Sequence, residues 1–249
     1  MTSQIKTKII YEPQGRASEY AGLAANIYTK CTHGCRYCYA NKMRKMKKEQ
    51  FHAENKVKNN AIRDLRKDAR KLRELRDDRE ILFCFMGDPY NPDEPVQGIT
   101  RQAIEIMIQN NLRFTVLTKG GDRARRDLDL LSHYPKCSLG QTIIFSDQVS
   151  ADYWEPNAAP LLERFQLAKD AHEMGITTWV SLEPVIDPNQ ALEVVSLLHP
   201  YVDKWKVGPI NYQKGIDVDW PQFKNDIVSL FKKVGAIYYL KKELLKKAA

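Results

Sequence analysis

The chain has 249 residues and carries 39 Lys and Arg against 31 Asp and Glu, a formal net charge of +8 at pH 7. Hydrophobic residues make up 43% of it, enough for a substantial core, but there is no run of about 18 apolar residues, so we expect no membrane span. Five cysteines, an odd number, argue against a disulfide framework. Because Met1–Lys6 also contains no apolar signal segment, we expect a cytoplasmic protein.

The first third of the chain combines a lead-in, a strand, a cysteine loop and a helix. Residues 1–24 are polar and interrupted by Pro and Gly, which predicts an N-terminal lead-in rather than a domain. A first strand is predicted to extend to about Lys30, and three of the five cysteines follow it within eight residues. Apolar residues at three- and four-residue spacing then predict a long amphipathic helix from Lys56 to Arg79.

Beyond residue 80, apolar runs alternate with helical patterns. Strands are predicted at 81–86, 113–118, 139–145, 177–182 and 204–207. Helices are predicted at 100–110, 124–131, 156–174, 188–198 and 220–234. With the first strand, this makes six strand–helix units, and near-continuous apolar strands are typical of a parallel sheet that is buried on both faces.

These units predict an α/β fold, specifically a partial (β/α)6 TIM-type barrel with parallel strands that is open on one side. Residues 25–235 would form this single barrel domain, and residues 236–249 a basic C-terminal tail. The first residues of that tail, 236–240, are predicted to be either a last short strand or the start of a helix.

The positive charge is concentrated in one segment. Residues 42–80 contain 15 Lys and Arg against 8 Asp and Glu, which accounts for seven of the eight net charges. A basic surface of this kind suits a polyanion, so we predict nucleic acid as a partner of this segment. A lysine-rich helix is also a common solvated surface of soluble proteins, and charge alone leaves both interpretations open.

Functional residues of parallel α/β folds collect where the strands end. Polar residues follow each predicted strand, and all of them are expected to face one mouth of the barrel. They are the cysteine loop, Gly87-Asp88, Thr118–Gly121, Ser146-Asp147, Glu183 and Gly208–Asn211.

Cys31, Cys35 and Cys38 are predicted to converge on one soft-ligand centre, because so scarce a residue seldom clusters by chance. Structural zinc normally takes four protein ligands, and His33 has little room to reach from between two of these cysteines. Three thiolates without a fourth favour an iron–sulfur cluster with one open iron. A noncatalytic zinc module that contacts nucleic acid is the alternative.

The cysteine loop also carries a resemblance. Cys31-x3-Cys35-x-Tyr37-Cys38, in the first loop of a (β/α)6 pattern, resembles the motif of the radical S-adenosylmethionine superfamily. Within that superfamily the chain resembles the spore photoproduct lyase family of DNA-photolesion repair proteins over roughly residues 10–211. The segments that carry this second resemblance are Asn26–Tyr28, Cys31–Ala40, Gly87–Tyr90, Thr118-Lys119 and Arg126–Leu131.

The resemblance implies a [4Fe–4S] cluster held by Cys31, Cys35 and Cys38, with S-adenosylmethionine on the open iron. A flavodoxin- or ferredoxin-type donor would supply the electron that cleaves the cofactor to a 5′-deoxyadenosyl radical, which abstracts hydrogen from the substrate. The implied cofactor contacts are Tyr37 to the adenine, Gly87 and Asp88 to the methionine amino group, and Lys119 to its carboxylate. Weaker candidates for the ribose or the substrate are Ser146 and Glu183.

Two further residues are candidates for catalysis. Tyr39 follows the third cysteine, where the resemblance places a catalytic tyrosine. The hydrogen-donating cysteine of the lyase falls on Phe85, whereas Cys84 is one residue away, where strand alternation would turn it to the other face. Cys84 is therefore either a hydrogen donor or a core thiol.

The resemblance favours a lyase- or isomerase-type reaction on a nucleic-acid base, through repair or rearrangement of a modified pyrimidine. A small-molecule or peptide substrate is the alternative. Peptide-modifying relatives often carry extra cysteines for auxiliary clusters, and the sequence has none after Cys137, which weighs against a peptide.

Overall fold

The structure, a computed structural model, describes residues 8–211 and 215–249. Residues 1–7 of the predicted lead-in and residues 212–214 lie outside the described residues. The strands are β1 (Ile10–Tyr11), β2 (Leu23–Ala25), β3 (Tyr28–Lys30), β4 (Lys56–Val57), β5 (Ile81–Phe83), β6 (Phe114–Thr118), β7 (Cys137–Thr142), β8 (Thr177–Val185), β9 (Lys204–Pro209) and β10 (Ile237–Leu240).

Helices connect most of the successive strands. They are α1 (Ala40–Met43), α2 (Lys48–His52), α3 (Ala61–Glu74), α4 (Glu94–Gln97), α5 (Ile99–Gln109), α6 (Leu128–Ser132), α7 (Gln148–Trp154), α8 (Leu161–Glu173), α9 (Pro188–Leu198), α10 (Trp220–Val234) and α11 (Lys242–Lys247). Short 3₁₀ helices lie at Gly15–Glu19, Gly121–Asp127 and His199–Tyr201.

The main sheet has the strand order β1-β2-β5-β6-β7-β8-β9-β10. All neighbours in it are parallel except β1, which runs antiparallel to β2. In the described part of the chain β1 and β10 are the two edges, so the sheet is open. The predicted α/β partial barrel is confirmed. The strand alternative for residues 236–240 is the observed one, because β10 pairs with β9 and adds a seventh parallel strand.

The predicted first strand is two separate elements. β2 ends at Ala25, and β3 pairs with β4 in a small antiparallel sheet of its own. Asn26 explains the break, since its side-chain oxygen accepts hydrogen bonds from the backbone N–H groups of Phe85 (2.8 Å) and Met86 (3.1 Å). These groups would otherwise extend the ladder between β2 and β5, so β5 also ends early, at Phe83.

Three predicted helices begin or end elsewhere. The helix predicted over 56–79 is α3, which starts only at Ala61, because Lys56 and Val57 belong to β4. The helix predicted over 156–174 begins after Pro160, and α7 precedes it. The helix predicted over 124–131 is a 3₁₀ turn followed by α6.

One face of the parallel strands lies inside the barrel. Trp179 packs there with Leu82, Ala24 and Ala21, and its indole N–H donates to Thr115 Oγ1 at 2.7 Å. A Cβ on Gly140 would lie 2.1 Å from the Trp179 ring, so only glycine leaves room for this side chain. Ser181 and Glu183 follow Trp179 at two-residue intervals and line a cavity, as strand alternation requires.

The segment between β1 and β2 reaches across to the opposite edge of the sheet. Glu19 accepts hydrogen bonds from the hydroxyl of Tyr239 and the backbone N–H of Lys242, both at 2.9 Å. Lys241 donates to the carbonyl of Arg16 at 3.1 Å. These bonds connect the N-terminal segment to β10 and α11. In residues 8–211 and 215–249, no helix combines the length and apolarity needed to cross a membrane.

Candidate active site

A cavity of about 560 Å³ lies where the cysteine loop meets the ends of the parallel strands. Every sequence-predicted site residue except Ser146 lines it. These are Cys31, Cys35, Tyr37, Cys38, Tyr39, Cys84, Gly87, Asp88, Lys119 and Glu183. The topology of the parallel sheet therefore brings together polar residues that are up to 152 positions apart in the sequence.

Ser146 is the predicted site residue that does not line the cavity. Its hydroxyl donates to Glu193 at 2.6 Å and its backbone N–H donates to Gln190 at 3.1 Å, both on α9. The predicted strand runs to residue 145, but β7 ends at Thr142, and Thr142 lines the cavity instead. Ser146 follows three buried residues beyond the strand end and does not lie at the cavity.

The cysteine loop is anchored to the segment that follows α7. The backbone N–H of Arg36 donates to the carbonyl of Trp154 (2.8 Å), and Asn157 donates from its backbone to His33 (3.1 Å) and from its side chain to Thr32 (2.9 Å). Gly34 has φ of +67°, a left-handed conformation that favours glycine. The loop is thus fixed from outside the cavity, with its cysteines on the inner wall.

The thiols of Cys31 and Cys35 are buried and that of Cys38 is partly exposed, which bears on the kind of group that they can hold. Burial raises the pKa of Cys31 to about 12 and moves that of Cys35 above its ordinary range. Thiolates at these positions need a compensating positive charge, which bound iron supplies. Three sulfur donors on one wall fit an iron–sulfur cluster. In the described part of the chain, no three His, Cys, Asp or Glu side chains are already gathered around a single metal-ion position.

A second buried group beside the cysteines is also unsatisfied. His52 lines the cavity and its Nδ1 lies 2.7 Å from the carbonyl of Cys31, so Nδ1 carries the proton. Its Nε2 is buried and has no hydrogen-bond partner among the described residues. A lone pair left unpaired beside Cys31 fits a wall that holds a bound group.

His33 is already engaged by two neighbours. Its Nδ1 lies 3.5 Å from Asp88 Oδ2, and its Nε2 accepts from Arg123 at 3.2 Å. Burial lowers the pKa of His33 to about 4, so the ring is neutral at pH 7. With its Nε2 lone pair used by Arg123, His33 does not provide the fourth ligand of a zinc site.

Asp88 fixes the loop after β5 to the end of β6. Its carboxylate accepts from the Thr118 hydroxyl (2.5 Å), the Lys119 backbone (2.7 Å) and the Tyr90 backbone (2.8 Å). Burial alone would raise the pKa of Asp88, but His33 and these donors outweigh it, so the pKa is lowered. The carboxylate is thus ionised and at the cavity wall, and its contact with the methionine amino group stays a prediction.

Gly87 is required by packing. A Cβ there would lie 2.7 Å from Tyr28 Cβ and 2.8 Å from the carbonyl of Lys30, so a side chain would displace the loop from β3. The sequence interpretation, that this glycine lets the backbone approach a ligand, stays a prediction.

Glu155 connects two of the predicted cofactor contacts. This fully buried carboxylate accepts a hydrogen bond from the Tyr37 hydroxyl, forms an ion pair with buried Arg164, and lies 3.9 Å from Lys119 Nζ. Burial alone would raise the pKa of Glu155, but the charges of Arg164 and Lys119 outweigh it and lower the pKa. Sequence reasoning missed Glu155 and Arg164, which come together only through the fold.

Cys84 and Tyr39 both reach the cavity. Because β5 ends at Phe83, strand alternation does not apply to the next two residues, and Cys84 and Phe85 both line the cavity. That overturns the expectation that Cys84 faces away from Phe85. Burial raises the pKa of Cys84 to about 12, so it is a neutral thiol. Tyr39 is 43% exposed, and its hydroxyl lies 3.5 Å from the carbonyl of Phe85.

Glu183 belongs to a paired group at another part of the cavity. Its carboxylate accepts from the Tyr20 hydroxyl and lies 3.0 Å from Lys241 Nζ, which is itself 4.2 Å from the centre of the Tyr20 ring. A Cβ on Gly208 would lie 2.7 Å from Glu183 Cδ, so this glycine makes room for the carboxylate. Tyr20 and Lys241 were not predicted as site residues.

Comparison with known proteins identifies the family. The model of the Radical SAM superfamily matches residues 25–198. The chain belongs to the radical SAM superfamily. Enzymes of this superfamily use a [4Fe–4S] cluster and S-adenosylmethionine, so both cofactors expected from the motif are confirmed.

The individual proteins that match this radical SAM chain share little sequence identity with it. An uncharacterized protein of Methanocaldococcus jannaschii, MJ0683, is 27% identical over 162 residues, which are 65% of this chain and 59% of that protein. This chain therefore spans less than two thirds of that relative.

Two solved structures share the fold. A mutant spore photoproduct lyase with dinucleoside spore photoproduct has a TM-score of 0.73 at 15% identity. The match covers 95% of this chain and 80% of the lyase chain. Streptococcus suis SuiB bound to S-adenosylmethionine has a TM-score of 0.67 at 11% identity and covers 90% of this chain and 51% of that chain. At these identities the likeness shows the fold alone.

Proposed function

We propose that this radical SAM enzyme abstracts a hydrogen atom from a nucleic-acid base, in a lyase- or isomerase-type reaction that repairs or rearranges a pyrimidine. The observation that carries the nucleic-acid assignment is the outer face of α3. The solved lyase with its dinucleoside lesion agrees with it, although that likeness extends only to the fold.

Two acidic side chains of α3, Asp64 and Asp68, are buried, whereas Glu74 at its end and the basic side chains of the helix are exposed. Asp68 accepts hydrogen bonds from the backbone N–H groups of residues 8–10 at 2.7 to 3.3 Å, and Asp64 is buried beside it. The exposed basic residues of the helix are Arg63, Arg66, Lys67, Arg70, Lys71 and Arg73. This arrangement presents a row of cations to a phosphate backbone, which dominates the affinity of proteins for nucleic acids.

The residues of the cavity divide into three roles. Cys31, Cys35 and Cys38 would hold the cluster through sulfur. Tyr37, fixed by Glu155, would pack on the adenine, and Lys119 would bind the carboxylate of S-adenosylmethionine. When bound, these cofactors supply a 5′-deoxyadenosyl radical that abstracts hydrogen from the substrate.

Gly87 and Asp88 would contact the methionine amino group, and two further cavity residues would act on the substrate. The Cys84 thiol and the Tyr39 hydroxyl lie at the cavity wall and would return a hydrogen atom to the substrate. The neutral thiol is the form that can do so, since a thiolate carries no hydrogen. A flavodoxin- or ferredoxin-type protein would supply the electron. None of the five cysteines forms a disulfide, as expected of the reducing, cytoplasmic compartment that we propose.

Hydrogen transfer tests the substrate class. The reconstituted enzyme is incubated anaerobically with dithionite, S-adenosylmethionine and DNA that carries deuterium on its pyrimidines, and 5′-deoxyadenosine is analysed by mass spectrometry. We expect deuterium in that product. If 5′-deoxyadenosine forms without deuterium from any labelled DNA or RNA, the nucleic-acid proposal is wrong, and the small-molecule or peptide alternative takes its place.

A further inference from the structure

The chain from Lys42 to Lys48, which forms the end of α1, the turn after it and the start of α2, is here called the hairpin surface. We propose that the hairpin surface docks the acidic one-electron carrier protein that reduces this enzyme. The inference rests on membership of the radical SAM superfamily and is independent of the proposed nucleic-acid substrate.

The hairpin surface is cationic around an apolar centre. Of its seven residues five are Lys or Arg and none is acidic. Met43 is 70% exposed among them. The exposed basic residues are Lys42, Arg44, Lys45 and Lys47. An apolar side chain surrounded by charges is typical of protein–protein interfaces, in which Met is enriched at the core.

The same segment covers the cysteines. Met46 packs in one apolar group with Cys31, Cys38 and Phe51, and it is partly exposed. Its backbone N–H donates to the carbonyl of Asn41 at 3.0 Å, and Asn41 donates back from its side chain at 3.3 Å, which fixes the turn. A protein docked on the hairpin surface is therefore separated from two of the predicted cluster ligands by about one layer of side chains.

Charge complementarity favours an acidic carrier. A cationic surface attracts an acidic protein and raises its association rate, and this attraction decreases with salt. In the transfer, one electron leaves the reduced carrier, which is oxidised by one equivalent, and enters the cluster, which is reduced by one equivalent. No bond forms or breaks. Nucleic acid would also be attracted to basic residues, but its proposed binding surface is the outer face of α3.

Comparing two reductants distinguishes docking of a carrier protein from any other role of the hairpin surface. The hairpin variant replaces Lys42, Arg44, Lys45 and Lys47 with Gln. The matched control variant replaces four exposed basic residues away from the cavity and from α3, Arg113, Lys136, Lys232 and Lys233, with Gln, so both variants lose four charges. Release of 5′-deoxyadenosine without substrate is measured with dithionite, a small reductant that needs no docking, and with photoreduced flavodoxin at subsaturating concentration. Binding of oxidised flavodoxin is measured separately by calorimetric titration.

We expect the hairpin variant to lose about tenfold or more of its flavodoxin-driven rate and flavodoxin affinity, since surface charges act mainly on association. Its dithionite-driven rate should equal that of the wild type, and the control variant should change neither the rate with flavodoxin nor the rate with dithionite. Added salt should lower the wild-type flavodoxin rate toward that of the hairpin variant.

Three results would overturn the proposal. They are equal losses with both reductants, unchanged flavodoxin binding and rate in the hairpin variant, or a loss of DNA binding as the hairpin variant's one defect. A wild-type enzyme that releases 5′-deoxyadenosine but never labels it from DNA would refute only the proposed substrate.

Discussion

Lys119 Nζ lies 3.9 Å from Glu155 Oε1, on a wall of the cavity that the three loop cysteines also line. Burial would lower the pKa of Lys119, but the negative charges around it, which include the carboxylates of Glu155 and Asp88, outweigh burial and raise it. The amine is therefore charged, and it faces a space in which a carboxylate could bind. Glu155 in turn is held by Arg164, so one buried network positions both Lys119 and Tyr37.

Removing the charge of Glu155 should destabilise the protein. Glu155→Gln leaves the Arg164 guanidinium buried without its anion, which costs about 3–5 kcal/mol in comparable pairs. Urea denaturation measures the free energy of unfolding. The double variant Glu155→Gln with Arg164→Met should be less destabilised than Glu155→Gln alone, because the buried guanidinium that has lost its anion is then removed as well. A double variant that loses the sum of the two single effects would contradict this account.

Replacing any of the loop cysteines should abolish the cluster. We expect Cys31→Ala, Cys35→Ala and Cys38→Ala, after anaerobic reconstitution, to lose the brown colour and the release of 5′-deoxyadenosine. Cys137→Ala is the matched control, since Cys137 is as buried as Cys31 and Cys35 but donates to the carbonyls of Leu131 and Tyr134, outside the cavity lining. A colourless wild-type protein that binds zinc would contradict the assignment of these ligands.

The parts of the site that the sequence predicts are those that local spacing or topology determines. Cys31, Cys35 and Cys38 are close in the chain, so their common destination needs no knowledge of the fold. Asp88, Lys119 and Glu183 could be found because parallel strands place their carboxyl ends at one edge. The same argument placed Ser146 at the cavity incorrectly, because it depends on where a strand ends, and β7 ends three residues before Phe145.

The rest depends on long-range contacts that leave no local signal. Glu155 meets Tyr37 across 118 residues, and Tyr20 meets Glu183 across 163. The broken first strand has a comparable origin, because the Asn26 side chain takes hydrogen bonds from residues 59 and 60 positions away. Polar side chains of this kind look like ordinary loop residues until the fold supplies their partners.

Cys84 should be needed for product formation but not for cofactor cleavage. If its thiol returns hydrogen to the substrate, Cys84→Ala should still release 5′-deoxyadenosine without substrate. It should form product about tenfold or more slowly, a loss of at least about 1.4 kcal/mol in transition-state stabilisation. Chromatography measures the ratio of the substrate-derived product to 5′-deoxyadenosine. Cys137→Ala should leave the ratio unchanged, and an unaltered ratio in Cys84→Ala would identify that residue as a core thiol.

Lys206 should make the stability of the protein depend on pH in the alkaline range. Burial, reinforced by the charge of Lys204 and by Lys241, lowers its pKa to about 8, while Glu80 and Glu183 act in the opposite direction. Between pH 8 and the ordinary lysine pKa of about 10.4, the unfolded chain holds the proton that the folded protein has lost. The free energy of unfolding should therefore rise with pH there, by up to about 3 kcal/mol from this residue.

Lys206→Met removes the titrating group and should remove this rise. The Lys206 ammonium also donates to the carbonyl of Tyr20, so we expect the variant to differ from the wild type by a constant amount at neutral pH. The informative quantity is the change in that difference with pH. Urea denaturation at pH 7, 8.5 and 10 measures it. Lys232→Met, at an exposed position on α10 and outside the charges that act on Lys206, is the control and should follow the wild type. A wild type and a Lys206→Met variant whose stabilities change in parallel over this range would show that Lys206 titrates normally in the folded protein.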